Sequence, residues 1–135
     1  MPRSMTIITA FAFSLLAFAA KSVAQNESHT LAMKGGETVE LFPVYGLSNF
    51  RSALLATPTV EVLEGPPELT LSIKEGMVKP RKAGCTDKVK GGTVIATAKD
   101  VKSPIQAKLT FRIKYKGKDG DRQTGHVYNV SLFPG

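Results

Sequence analysis

Cys85 is the only cysteine in the chain, and His29 and His126 are its only histidines. Those three residues bound the nucleophilic and metal chemistry open to it. Nucleophilic catalysis needs a nucleophile beside a base, with a third group to orient that base. Cys85 sits in a polar stretch with Lys82, Lys88, Lys90 and Asp87, and no His or Asn stands beside it, so a structural cysteine is expected. His126 lies one step before Val127 at the expected start of a strand, and no G-x-S-x-G is present. It reads as a hydrogen-bonded surface histidine. One cysteine and two distant histidines give no zinc spacing. Asp119-Gly120-Asp121 offers too few oxygens for calcium and reads as a solvated turn. Lys34-Gly35-Gly36 and Lys90-Gly91-Gly92 lack the phosphate-cradling pattern. The expectation is no catalytic residue, no cofactor, no metal and no enzyme activity.

Basic charge is the one positive feature. Lys108, Arg112, Lys114 and Lys116 alternate along one segment, with Lys118 and Arg122 beside the turn that follows. A second run holds Lys79, Arg81, Lys82, Lys88 and Lys90. The candidate anion- or partner-binding residues are therefore Lys108, Arg112, Lys114, Lys116, Lys118, Arg122, Arg81 and Lys82. Clustered, they would attract an acidic protein or an anionic polymer of a cell envelope. Scattered, they would serve solubility and block strand pairing. Nucleic acid is disfavoured, because no aromatic is interleaved on the basic face for base stacking.

The elements that must position these residues are strands. In residues 108–116 every odd position is Leu, Phe, Ile or Tyr and every even one is Lys, Thr or Arg. Side chains of a strand point alternately to opposite faces, so this period marks a half-buried strand. Residues 117–121 supply turn chemistry, and residues 127–133 return with Tyr128, Val130 and Leu132 on one face, which makes a hairpin. Further strands are expected at residues 37–44, alternating with Val39 and Leu41 on one face and with Pro43 at an edge or a strand end, and at 59–63, 69–73 and 93–98. Residues 77–92 read as a loop rich in Lys, Gly and Pro. Residues 46–57 are open: Leu47, Phe50, Leu54 and Leu55 have helix-like spacing, yet a short strand also fits. Six or seven strands punctuated by Gly and Pro predict an all-β fold, a single antiparallel β-sandwich over residues 31–135, with a barrel as the alternative.

Residues 109–132 resemble the last two strands of bacterial immunoglobulin-like or cadherin-like domains. The matching residues are Thr110, Phe111, Ile113, Tyr115, Asp119, Gly120, Val127 and Val130. The resemblance implies an immunoglobulin-like sandwich that binds, adheres or spaces, without the calcium motifs of true cadherins. Residues 33–42 resemble the strand before the copper site of cupredoxins, but no His or Met follows Cys85 closely, so blue copper is excluded.

The N-terminus carries an address. Arg3 precedes an uncharged apolar run over residues 5–20, Lys21 closes it, and Ser22-Val23-Ala24 places small residues before Gln25. That is the pattern of a cleaved secretory signal over residues 1–24. Sixteen residues of helix span about 24 Å, short of the roughly 30 Å hydrocarbon core, so no transmembrane span is expected in the mature chain. Residues 25–30 read as a flexible tail. Without residues 1–24, 16 Lys and Arg stand against 11 Asp and Glu, a net charge of +5. The chain as a whole resembles the small exported proteins of Gram-negative bacteria. The expectation is a periplasmic or secreted binding module, with a structural part of an envelope assembly or an enzyme inhibitor as alternatives.

Overall fold

The computed structural model describes residues 29–135; the expected signal peptide and residues 25–28 of the expected tail lie outside them. Among the described residues nine strands form: β1 (His29–Lys34), β2 (Thr38–Val44), β3 (Leu47–Ser48), β4 (Arg51–Ser52), β5 (Thr59–Glu64), β6 (Leu69–Val78), β7 (Val89–Ala98), β8 (Ile105–Gly117) and β9 (Gly120–Phe133). Four build one sheet in the order β1-β9-β8-β5, three build a second in the order β2-β7-β6, and β3 and β4 pair as a small hairpin. The two larger sheets enclose one apolar core, and the fold is all-β, consistent with a β-sandwich.

The β8–β9 hairpin follows the period seen in the sequence. Leu109, Phe111 and Ile113 are at most 1% exposed, and Tyr115, Tyr128, Val130 and Leu132 are buried beside them. The facing sheet contributes Val44, Leu69, Val94, Ala96 and Ala98. Small Ala96 and Ala98 on the central strand β7 leave room for the rings of the opposite sheet. Among the described residues no polar or charged side chain is buried, so their polar chemistry lies on the surface.

The structure departs from four expectations. First, His29 and Thr30 are not tail: they open β1 and pair with Tyr128 and Asn129. This pairing is parallel, whereas the other strand pairs are antiparallel. Its partner lies a whole domain away in sequence, where no local pattern points to it.

Second, the loop is shorter than residues 77–92. β6 runs through Gly76 to Val78 and β7 begins at Val89, with register Gly76↔Gly91 and Glu75↔Gly92. Gly91 and Gly92 are not turn residues. A Cβ on Gly91 would collide with the carbonyl oxygen of Val44, and one on Gly92 would sit 2.6 Å from Ile73 Cγ2. They are glycines because neighbouring strands crowd them.

Third, β9 starts at Gly120 rather than at residue 127, so His126 lies within the strand opposite Phe111. Fourth, β2 does not alternate throughout. Its register shifts between Glu40 and Phe42, a bulge that turns Phe42 and Val44 toward the core. Pro43 does lie on an edge strand, β2.

Residues 46–57 form no helix. β3 and β4 are joined by Asn49 and Phe50, with φ of 54° and 64°. This is the positive-φ pair of a two-residue primed hairpin turn, for which Asn-Gly is the favoured sequence. Phenylalanine there is an outlier costing about 1–2 kcal/mol.

Candidate functional site

One end of the sandwich gathers three loops. β2, β6 and β8 all run toward it; there the β3–β4 hairpin, the β6–β7 loop and the β8–β9 turn meet. Backbone bonds strap them together. Leu55 N–H donates to the Lys116 carbonyl at 2.9 Å, and Lys118 N–H donates to the Ala53 carbonyl at 2.8 Å. Ser52 Oγ donates to the Lys90 carbonyl at 3.2 Å. Arg81 N–H donates to Tyr45 Oη at 2.8 Å, and Arg122 Nη2 donates to the Tyr45 carbonyl at 3.2 Å. Tyr45, just after β2, thus links two of the loops.

The charge of the domain is concentrated at that end. Residues 29–135 hold 16 Lys and Arg against 10 Asp and Glu. Nine of those cations (Arg51, Lys79, Arg81, Lys82, Lys88, Lys90, Lys116, Lys118 and Arg122) lie in the hairpin tip, in residues 77–90 or in residues 116–122, with only Asp87, Asp119 and Asp121 for acids. The remaining seven cations meet seven acids. The rest of the domain is formally neutral, and the whole excess belongs to the loop end.

The candidate basic residues divide accordingly. Arg81, Lys82, Lys116, Lys118 and Arg122 come together at the loop end. Lys108, Arg112 and Lys114 stay on the outer face of β8. Arg112 Nε and Lys114 Nζ both contact Glu61 Oε1 at 2.9 Å, because Glu61 on β5 pairs in register with Arg112. The Arg112 hydrogen bond, then that of Lys114, holds the Glu61 carboxyl below its ordinary value. Lys108 faces Asn129, toward the other end of the strand. Arg122 lays its guanidinium 4.0 Å from the Tyr115 ring centroid. Beside it opens a cleft of about 500 Å³ lined by Thr57, Thr59, Lys114, Lys116, Arg122 and Gln123.

Phe50 stands at the tip of the hairpin, 52% exposed. The Lys82 ammonium sits 5.6 Å over its ring. Gly84, with φ of 89°, brings the β6–β7 loop against the same ring. Leu55 and Met77, also exposed, belong to the segments that flank this end. Composition alone could not single out Phe50. The signal lies in Asn49-Phe50 occupying a turn that calls for Asn-Gly, visible once residues 47–52 are read as a hairpin. Cys85 is a buried free thiol in the same loop, with its N–H donated to the Lys82 carbonyl at 3.1 Å.

Both histidines reach a second groove, of about 450 Å³, lined by His29, Phe42, Tyr45, Arg81, His126 and Tyr128. His126 is half-buried rather than a surface residue at a strand end. It packs 4.9 Å from Phe42 and 5.1 Å from Phe111, and its Nε2 lies 2.9 Å from Thr124 Oγ1. Burial, with His29 as the second cause, lowers its pKa. His29 stacks on Tyr128 at 5.1 Å. The spacing of two histidines 97 positions apart carried no hint of this, because the parallel β1–β9 pairing brings them together. Among the described residues no three His, Cys, Asp or Glu side chains converge, and no helix is long and apolar enough to cross a membrane.

The chain matches no protein-family model and no curated protein at a significant level. The geometry of the loop end therefore carries the functional reading.

Proposed function

We propose that this chain is an exported, non-enzymatic interaction module of a bacterial envelope, with an immunoglobulin-like sandwich as scaffold and its basic loop end as the surface that engages an anionic partner. The strand orders β2-β7-β6 and β5-β8-β9 support the immunoglobulin-like reading, since they parallel the B-E-D and C-F-G sheets of that fold. The apolar leader and small-residue site of residues 5–24 support export. The observation that carries the proposal is the segregation of charge: nine cations against three acids on the loops and adjoining strand ends strapped together at one end, over a formally neutral body. A field so placed orients an approaching polyanion toward those loops, and loops on a rigid sheet scaffold are where recognition concentrates.

The test is binding to heparin, a soluble polyanion, across a salt series. Wild type binds, and binding weakens as salt rises. The triple variant Arg81→Glu, Lys82→Glu, Lys118→Glu loses about tenfold or more, from several screened charge contacts acting together. Lys108→Gln, outside the loop end, stays near wild type. Equal loss in both variants would refute a localised site.

A second reading, a part of an envelope assembly, draws on β6. This ten-residue strand is paired only to β7 and forms an open edge of its sheet, which is a template for strand addition. Stoichiometric co-purification of a partner, abolished by a proline in the outward-facing register of β6, would favour it.

A further inference from the structure

We infer that the anionic partner of the loop end is a phospholipid bilayer surface, with Phe50 as the side chain that enters its interface. The inference rests on the anionic-partner reading above and names the partner. A half-exposed phenylalanine fills a left-handed turn position where glycine is unstrained, and strain of that kind persists where a surrounding function maintains it. Its ring is not left to water alone: Lys82 lies over it, and Gly84 passes so near that a Cβ there would touch the ring at 3.5 Å. Among the described residues, Leu55 at 62% and Met77 at 60% are the most exposed large apolar side chains, and both flank this end. Lys82 lies over Phe50, Lys90 lines one cleft with Leu55 and Glu75, and Lys79, Arg81 and Lys88 line another with Met77 and Glu40.

A soluble polyanion would satisfy the cations and leave Phe50, Leu55 and Met77 in water. A bilayer interface satisfies both sets: its headgroups meet Lys and Arg, whose long stems reach outward past the ring, and its acyl boundary accepts the apolar side chains. Because the rest of the domain is neutral, the surface potential of an anionic leaflet turns this end toward the membrane and no other.

The chain contains no tryptophan, so Phe50→Trp introduces a single reporter. The experiment is sedimentation of the protein, its mass first measured, with vesicles of equal parts phosphatidylethanolamine and phosphatidylglycerol, and with phosphatidylcholine vesicles for comparison. Wild type sediments with the anionic vesicles in a salt-sensitive way. Phe50→Gly, which relaxes the turn and so keeps the fold, loses about tenfold, the loss of one large apolar anchor. The indole emission of the Phe50→Trp variant shifts to the blue on anionic vesicles. Heparin binding without vesicle binding would overturn the lipid inference and leave the anionic-partner proposal standing. Binding to neither would end both. Vesicle binding that is unchanged in Phe50→Gly, with no spectral shift in Phe50→Trp, would overturn the insertion of Phe50.

Discussion

The ammonium of Lys82 stands 5.6 Å above the ring of Phe50, and that pair joins the β3–β4 hairpin to the β6–β7 loop. Left-handed backbone brings the two segments together: Phe50 has φ of 64° and Gly84 has φ of 89°. Cation and ring hold each other at a site where neither is buried, a contact worth about 0.5–1 kcal/mol.

The strain at Phe50 is measurable as stability. Phe50→Gly removes the left-handed penalty of about 1–2 kcal/mol but gives up the Lys82 contact and the covered half of the ring, so stability to urea should stay near wild type. Phe50→Ala keeps the penalty and loses the ring, so it should fall below wild type. A glycine variant no more stable than the alanine variant would show that the turn is not strained.

Gly76, Gly91 and Gly92 lie in the same ladder and should respond differently to alanine. Gly92→Ala meets Ile73 Cγ2 at 2.6 Å and the Lys74 carbonyl oxygen at 3.0 Å, and should cost about 1–3 kcal/mol as overpacking does. Gly91→Ala, against the carbonyl of Val44, should cost at least as much. Gly76 has open space around it, and alanine there should be neutral or stabilise by up to about 1 kcal/mol through the unfolded chain. Thermal denaturation of the three variants checks the order.

Phe111 is fully buried and stacks with Phe42, His126 and Tyr128. Phe111→Ala should cost about 3–5 kcal/mol, a large part of the stability of a domain this size. Loss of the cooperative transition, seen by near-ultraviolet circular dichroism, is the expected readout.

His126 gives the domain a pH dependence of definite sign. Burial against Phe42 and Phe111 lowers its pKa, with His29 adding repulsion. The unfolded chain therefore takes up that proton at a higher pH than the folded one. Stability is full above the ordinary histidine value near 6.5 and falls as pH drops below it, because protons then bind the unfolded state preferentially. Urea midpoints should decline from about pH 7 to about pH 5, and His126→Phe should flatten that slope. A midpoint that rises on acidification in wild type but not in the variant would contradict the burial of the imidazole.

What could be read from the chain follows the range of the interactions involved. The β8–β9 hairpin was legible because its period-2 pattern is written in consecutive residues, 108–116. Pro43 pointed to an edge or a strand end for an equally local reason, that it cannot donate to a ladder, and β2 is an edge strand. The partner of β1 was not legible, since its sequence is short and its mate lies at residues 128–133. Gly91 and Gly92 misled because a glycine that frees a turn and one that admits a neighbour look the same in sequence. The basic residues could be counted but not placed. Only the register Glu61↔Arg112 shows that part of the β8 stripe is neutralised, and only the bonds around Tyr45, Ala53 and Lys116 show which loops share an end.

The parallel pairing of β1 with β9 sets an order of events. Residues 29–34 are synthesised well before residues 128–133, whose backbone groups they must match. Such a long-range clasp raises contact order and slows folding. Until β9 is made, β1 has no mate and β8 has only β5 beside it, so this four-stranded sheet closes late.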